Sequence, residues 1–342
     1  MNTNTTGTTY QLYVGVDISA ATATVAWMKP GNKVTRPFTI NQTPQGYTAF
    51  QKKIIEEGFT PASVLVVMEA TGAYWICMAT ELVEAGFVVS VINPACAHHF
   101  AKALLKRAKT DAIDAQTLAQ LARLLQPEPW TPPPLVYHEL QQRLHQRETL
   151  LCLQRQVSNQ LHALQHNPVT ITAVRSRMEA LVETLKQQLK EVDAEIQQAL
   201  NQDQQWAASA VLLQSIKGIG WLTAAWVLVT TLNFTTCETA EAVTAYAGLA
   251  PTLYQSGSSV WHKPAIGHTG QIRLRTALYL ATLSAAQSNP VIKSFYDRLR
   301  AAGKPMKVAR CAAARKLLHI AWAVVKKRQP FDQNYALKPQ TT

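Results

Sequence analysis

The spacing of apolar and polar positions changes twice along the chain. In the first stretch, short β-branched or aromatic runs lie between turn residues: 11–18 (QLYVGVDI), 24–28 and 34–40, the last two separated by Pro30-Gly31-Asn32. They predict three consecutive antiparallel strands. Residues 44–58 predict a helix that ends near Gly58. Two continuous apolar runs, 63–68 (SVLVVM) and 87–92 (FVVSVI), have the pattern of strands buried on both faces, with a helix predicted between them over 74–85. Helices follow over 95–107 and from Thr110 or Asp111 to Leu125. Three strands and then alternating helix and strand is the order of an RNase H-like α/β domain, expected over residues 1–130.

The second stretch opens at 126–134 (QPEPWTPPP), where five prolines in nine residues stop any helix. Residues 135–200 then predict two long helices broken near Asn167-Pro168. In the second helix Met178, Val182, Leu185, Leu189, Val192, Ile196 and Ala199 recur at 4-3-4-3-4-3 spacing, the seam of a coiled coil. The seam can pack within the chain or join two chains. Because the segment is polar and has no large core of its own, it reads as a dimerisation arm over 131–205. From Trp206 the residues become small, apolar and basic. Helices are predicted over 272–286, 291–301 and 307–327, with a polar, glycine-containing segment at 255–270. This defines a third, mostly helical domain over 206–342.

Charge separates the same three parts. The net +12 is distributed as 10 Lys/Arg against 9 Asp/Glu in 1–130, 7 against 8 in 131–205, and 16 against 4 in 206–342. The whole excess sits in the last domain, which points to a polyanionic partner rather than to general solubility. The basic residues do not form one amphipathic surface helix, and no apolar run is long enough to span a bilayer. The uncharged start, MNTNTTGTTY, has no secretory pattern, and the five cysteines are scattered without a CxxC pair. A reduced cytoplasmic protein is expected, without disulfides or a zinc knuckle.

Four acids carry the candidate chemistry. Asp17 ends the first strand (VGVDIS) and Glu69 the central one (VVMEATG). In a mixed sheet these strands lie side by side, so their ends bring the carboxylates together. Asp111 and Asp114 (TDAIDAQ) share one face at the start of a helix that Thr110 can cap. Asp111 alone reads as a favourable charge at a helix N-terminus. An acid at the end of an apolar strand, by contrast, calls for a partner or a metal. Four hard oxygen donors suit Mg²⁺ or Mn²⁺, which could activate a nucleophile and stabilise a leaving oxygen at a phosphodiester. Elsewhere, 214–220 (QSIKGIG) is either a plain helix–helix turn or a helix-hairpin-helix, in which Lys217 and the backbone at Gly218 and Gly220 would meet phosphate. Lys263, His268, Arg273 and Arg275 form the basic cluster nearest to Ser256 (LYQSGSS), and Lys304, Lys307, Arg310, Arg315, Lys316, Lys326, Lys327 and Arg328 extend the basic surface. From its surroundings alone Ser256 is a loop serine. The pairs His162/His166 and His98/His99 lack a third ligand and read as surface residues.

The ordered set VGVDIS, MEATGAYW, INP and KTDAIDAQTLA, continued by AYAGLAPTLYQSG and GHTGQIRLRTALYLATLSA, resembles the IS110 transposases and their Piv-type DNA invertase relatives over nearly the whole chain. The resemblance implies a RuvC-like DEDD domain with Asp17, Glu69, Asp111 and Asp114 as metal ligands. It also implies a serine nucleophile at Ser256, with Ser258 and Ser259 as neighbouring rivals. The serine would form a covalent phosphoserine link and complete a composite site with the carboxylates. Donor and target DNA, a structured guide RNA that pairs with both, and a homo-oligomer (a dimer or a tetramer) are the partners it implies. Two other readings stay open on the residues: a RuvC-like nuclease or junction resolvase that needs the carboxylates but not Ser256, and a non-enzymatic nucleic-acid-binding protein that leaves the acidic set without a purpose.

Overall fold

The computed structural model describes residues 10–333 except 107, 109, 257–259 and 268, and the side chains of 253–264 also lie outside the description. It divides into two compact units, Met1–Pro132 and Pro133–Thr342.

The first unit is built on a five-stranded mixed sheet in the order β3-β2-β1-β4-β5. Strands β1 (Leu12–Ile18), β2 (Thr22–Met28) and β3 (Phe38–Asn41) run antiparallel, as their short alternating runs predict. β3 starts later than Val34. Pro37 has no N–H for the ladder, so before it only Thr35 pairs, its N–H donating to the Trp27 carbonyl at 2.8 Å. β4 (Val64–Glu69) and β5 (Val88–Ile92) lie parallel to β1 and are linked through α2 (Trp75–Glu84). Both faces of the central strands are buried, which explains their unbroken apolar runs. On one face Leu12, Val14, Val16, Val66 and Met68 pack with Phe50 and Ile54 of α1 (Pro44–Glu56) and Met78 and Leu82 of α2. On the other, Tyr13, Leu65 and Val67 pack with Leu118, Leu121 and Ala122 of α4 (Asp111–Leu125), beside α3 (Pro94–Ala103).

Helix α4 crosses β1 at Gly15, where a Cβ would fall 2.2 Å from both the Ala115 carbonyl oxygen and the Ala119 nitrogen. No larger residue fits there. The proline-rich segment after α4 folds back on β5. Trp130 N–H donates to the Val89 carbonyl at 2.7 Å, and its ring meets Trp75 edge-on at 5.3 Å.

In the second unit α5 (Leu135–Leu164) and α6 (Thr172–Gln202) form an antiparallel hairpin, broken near Asn167-Pro168 as expected. The predicted seam is spent inside the chain over its C-terminal half: Leu185, Val192 and Ile196 are buried in the cluster that holds Leu140, Leu144 and Leu150 of α5. Arg147–Asp193 (2.5 Å) and Arg143–Glu195 (3.2 Å) flank it. The core does not break at residue 205. α6 passes directly to α7 (Gln204–Gln214), whose first turn the Asp203 side chain caps by accepting from Trp206 N–H at 2.9 Å. One cluster then runs from Val136 through Trp206 to Val324. The helices expected as a separate arm therefore share their core with α8 (Trp221–Thr231), α9 (Ala240–Tyr246), α10 (Ile272–Ser288), α11 (Pro290–Ala301) and α12 (Met306–Lys327). The segment expected to be irregular contains an antiparallel hairpin of β6 (Thr252–Ser256) and β7 (Val260–Ala265).

Gly15→Ala should cost about 2–4 kcal/mol, because backbone rather than a flexible side chain blocks the new methyl group. Urea unfolding of the full chain checks this, and an unchanged midpoint would mean that α4 does not approach β1 so closely.

Candidate active site

Strand alternation decides which way the acids face. Tyr13, Gly15 and Asp17 share one side of β1, and Leu65, Val67 and Glu69 share one side of β4, because side chains alternate along a strand. Tyr13, Leu65 and Val67 pack with α4, so Asp17 and Glu69 belong to the α4 face. The parallel register aligns Val16 with Met68, which leaves Asp17 and Glu69 at the same edge of neighbouring strands. Helix α4 runs against β1. Gln126 at its C-terminus donates to the Tyr13 hydroxyl (3.1 Å), whereas Asp111 at its start shares a cleft of about 480 Å³ with Thr24, the partner of Asp17 in the ladder. Thr110 caps the helix as expected, its hydroxyl accepting from Ile113 N–H at 3.3 Å. Asp111 and Asp114 thus lie at the edge where Asp17 and Glu69 emerge.

The acids are not buried charges. Asp17, Glu69 and Asp114 are half-buried and Asp111 is exposed, and Glu69 accepts a hydrogen bond from the Thr71 hydroxyl (2.9 Å). Among the described residues no three His, Cys, Asp or Glu side chains form a ready-made metal site. The acids at this edge come from three elements, and Asp111 opens onto the cleft beside Thr24.

A brace that pattern reading missed supports this edge. Gln42 donates to the carbonyls of Ser19 (2.7 Å) and Tyr74 (3.2 Å) and accepts from the Tyr47 hydroxyl (2.8 Å). It ties together the turn after β1, the end of β3 and the loop after β4. One glutamine beside a helix cap carries no signal of that role in sequence.

Ser256 lies in the second unit, as the last residue of β6, opposite Val260. Ser258, Ser259 and His268 lie outside the described residues, as does the Lys263 side chain. The root of this hairpin is well defined. A Cβ on Gly248 would fall 2.2 Å from Arg275 Nη1 and from the Thr269 carbonyl oxygen, and one on Gly270 would fall 2.5 Å from Gly248 N. Both glycines have positive φ, 68° and 97°. Gln271 N–H donates to the Tyr246 carbonyl at 2.7 Å, closing the junction. Arg275, expected at phosphate, donates through Nη1 to the carbonyls of Thr269 (2.9 Å) and Gly248 (3.4 Å). Arg273 is 2.5 Å from Glu148 of α5. Of the two arginines expected at phosphate, Arg275 is thus engaged with the backbone, whereas Arg273 remains exposed beside Glu148. The two glycine motifs on either side of the hairpin were visible in sequence, but not that they touch.

In the turn between α7 and α8, Gly218 has φ 103° and a Cβ would meet the Ala285 Cβ at 2.4 Å, so its glycine is explained by packing on α10. Lys217 is exposed while its carbonyl accepts from Asn289 Nδ2 at 3.2 Å, and Gly220, exposed and with room for a Cβ, is the N-cap of α8. His98, His99, His162 and His166 are exposed, each pair in ring contact and without a third ligand among the described residues.

An acid-edged mixed sheet joined to a basic helical unit marks a protein that works on nucleic-acid backbones, and comparison with known proteins agrees. Residues 14–167 match a transposase domain described by its DEDD residues and IS110, and residues 210–297 match the transposase IS116/IS110/IS902 family. The pilin gene-inverting protein of Moraxella lacunata is 31% identical over 94% of this chain and 98% of its own length. The Moraxella bovis protein of that name is 30% identical over the same shares. An IS110 protein from Streptomyces coelicolor is 35% identical over 34% of the chain and 28% of its own length. The chain belongs to the IS110 transposase family and is an enzyme of DNA recombination. The DEDD domain implies use of a divalent metal. Among the described residues no helix is long and apolar enough to cross a membrane.

Arg275→Ala should speed amide exchange in β6 and β7 by about tenfold, since losing the guanidinium leaves two carbonyls unpaired at the root. DNA affinity should change by less than about twofold. Lost affinity with unchanged exchange would return Arg275 to a phosphate-binding role.

Proposed function

We propose that this chain breaks and rejoins DNA strands as a Mg²⁺- or Mn²⁺-dependent recombinase, its first unit an RNase H-like, RuvC-like DEDD domain and Ser256 its nucleophile. The observation that carries this reading is the shared edge. Asp17 and Glu69 end adjacent parallel strands on the face that α4 covers, and α4 brings Asp111 and Asp114 to the same end. Hard, accessible oxygen donors on three elements fit a cation that keeps water and phosphate among its ligands. When bound, such a cation lowers the pKa of an attacking hydroxyl and offsets charge on the phosphate.

In the step assigned to Ser256, Oγ bonds to phosphorus, the P–O bond to one deoxyribose oxygen breaks, and the proton lost by the serine ends on that leaving hydroxyl. The phosphoserine ester conserves the bond energy. Attack by a strand hydroxyl reforms the phosphodiester and returns the proton to serine. Arg275 and the Gly248–Gly270 contact hold the hairpin that presents this residue. The second unit, with 23 Lys/Arg against 12 Asp/Glu, has the charge to hold donor and target DNA together with a structured guide RNA.

Asp17→Asn and Glu69→Gln should each reduce recombination below about a hundredth of wild type with DNA binding retained. Ser256→Ala should yield no denaturant-resistant protein–DNA adduct. Strand exchange by Ser256→Ala would overturn the serine mechanism in favour of metal-activated water, and exchange in the presence of chelator would overturn the metal site.

The reading includes a homo-oligomer. Towards the tip of the α5–α6 hairpin apolar side chains reach the surface: beside the half-buried seam residues Met178 and Val182, Leu153 and Leu181 are 43% and 47% exposed. Leu153→Asp with Leu181→Asp should convert the oligomer to monomer in light scattering without changing its helix content. An unchanged mass would remove the hairpin tip from assembly.

A further inference from the structure

A second feature of the basic unit lies away from the serine hairpin. A cavity of about 800 Å³ opens between α11, α12, the start of α9 and the chain after α12, at the upper end of the range of roughly 300–1,000 Å³ that encloses small ligands. Its floor is apolar, with Ala312, Ile320 and Val324 from one face of α12 and the rings of Trp322 and Phe331 beside them. Four cations, Arg298, Arg315, Lys316 and Lys327, line it against one carboxylate, Asp332.

Two of these cations are held close together over the same ring. Lys316 Nζ lies 4.7 Å from the centroid of Phe295, and Arg298 Cζ lies 5.4 Å from it. Burial pushes the Lys316 ammonium below its ordinary pKa, and the nearby Arg298 charge adds to that. An anion at the mouth would relieve both effects. Inside, His319 Nε2 is buried and has no hydrogen-bond partner among the described residues. Burial lowers the pKa of this imidazole, Glu241 opposes that shift and Arg315 reinforces it.

A cavity lined by apolar and aromatic side chains and by four cations has the features of a site for a flat heterocycle attached to an anion. Base faces stack on aromatic and apolar surfaces, and phosphates take up arginine and lysine. In a duplex the base faces are covered by their neighbours, so only an unpaired nucleotide can use the floor and the rim together. We propose that this cavity holds one unpaired DNA nucleotide, its base against Trp322 and Phe331 and its phosphate on Arg298, Arg315 and Lys316. Exchange of DNA strands by a recombinase passes through such nucleotides, and the proposal rests on that reading only for DNA being the ligand.

The test uses the full chain in EDTA, so that no strand is cut and the result does not depend on Ser256 or the carboxylates. An eight-residue oligothymidylate carrying one photoreactive 5-iododeoxyuridine is crosslinked to the protein, and the adduct is mapped by mass spectrometry. Affinities are measured in parallel by fluorescence anisotropy. The adduct should fall on Phe295, Trp322 or Phe331. Arg315→Gln with Lys316→Gln should weaken binding of the single strand at least tenfold and of a blunt duplex less than twofold. Ala312→Phe, which leaves every cation in place but fills the floor, should abolish the adduct while the thermal midpoint stays native. Adducts elsewhere, or an Ala312→Phe chain that crosslinks normally, would overturn the proposal. So would two further outcomes: an oligouridylate that binds tighter and crosslinks to the same rings, which assigns the cavity to RNA, or a wild-type chain that crosslinks only after residues 334–342 are deleted, which assigns it to the chain's own tail. Loss of recombination chemistry in any variant leaves these outcomes unaffected.

Discussion

The approach of α4 to β1 at Gly15 is the contact on which the candidate metal edge depends. With backbone atoms of Ala115 and Ala119 at 2.2 Å from where a Cβ would stand, the helix can lie this low over the sheet only because the strand has no side chain there. That depth places the first turn of α4 at the end of β1, level with Asp17. The small residues Ala115, Ala119 and Ala122 continue the same buried stripe. Raising the helix by even one methyl group would carry Asp111 and Asp114 away from the strand ends and separate the acids of the helix from those of the sheet.

A pair of glycines permits a similarly close backbone approach in the basic unit. Gly248 and Gly270 are far apart in sequence, yet Gly248 fills the space that a side chain on Gly270 would need, Arg275 and Thr269 fill the space that one on Gly248 would need, and both have positive φ. Arg275 closes their junction from α10 by donating to carbonyls on both sides. The hairpin that ends at Ser256 is therefore attached to a helical core through backbone contacts, which hold position better than a flexible loop would.

The basic charge of the second unit is unevenly used. Arg273 is matched by Glu148 and Arg275 is committed to backbone carbonyls. The cations of α11 and α12 instead gather over Phe295 and line a cavity with an apolar floor. A net charge read from the sequence cannot make this distinction, because it counts an arginine that holds the fold the same as one that meets a phosphate.

By itself the sequence determined the order of elements in the first unit, the acids at Asp17, Glu69, Asp111 and Asp114, the break at Asn167-Pro168 and the concentration of positive charge after residue 206. All of these are set by local pattern: apolar runs of strand length, proline and glycine punctuation, and caps such as Thr110. Tertiary structure decided what those residues meet. Alternation could assign Asp17 to a side of β1, but only packing showed that the side faces α4. A heptad seam looks the same whether its partner is another chain or α5, and the buried Leu185, Val192 and Ile196 show that much of it is used within the chain. The hairpin at 252–265 escaped prediction because two short strands with no core of their own carry a weak periodic signal. The role of Arg275 was hidden because a guanidinium suits a backbone carbonyl as well as a phosphate, and only three-dimensional neighbours decide between them.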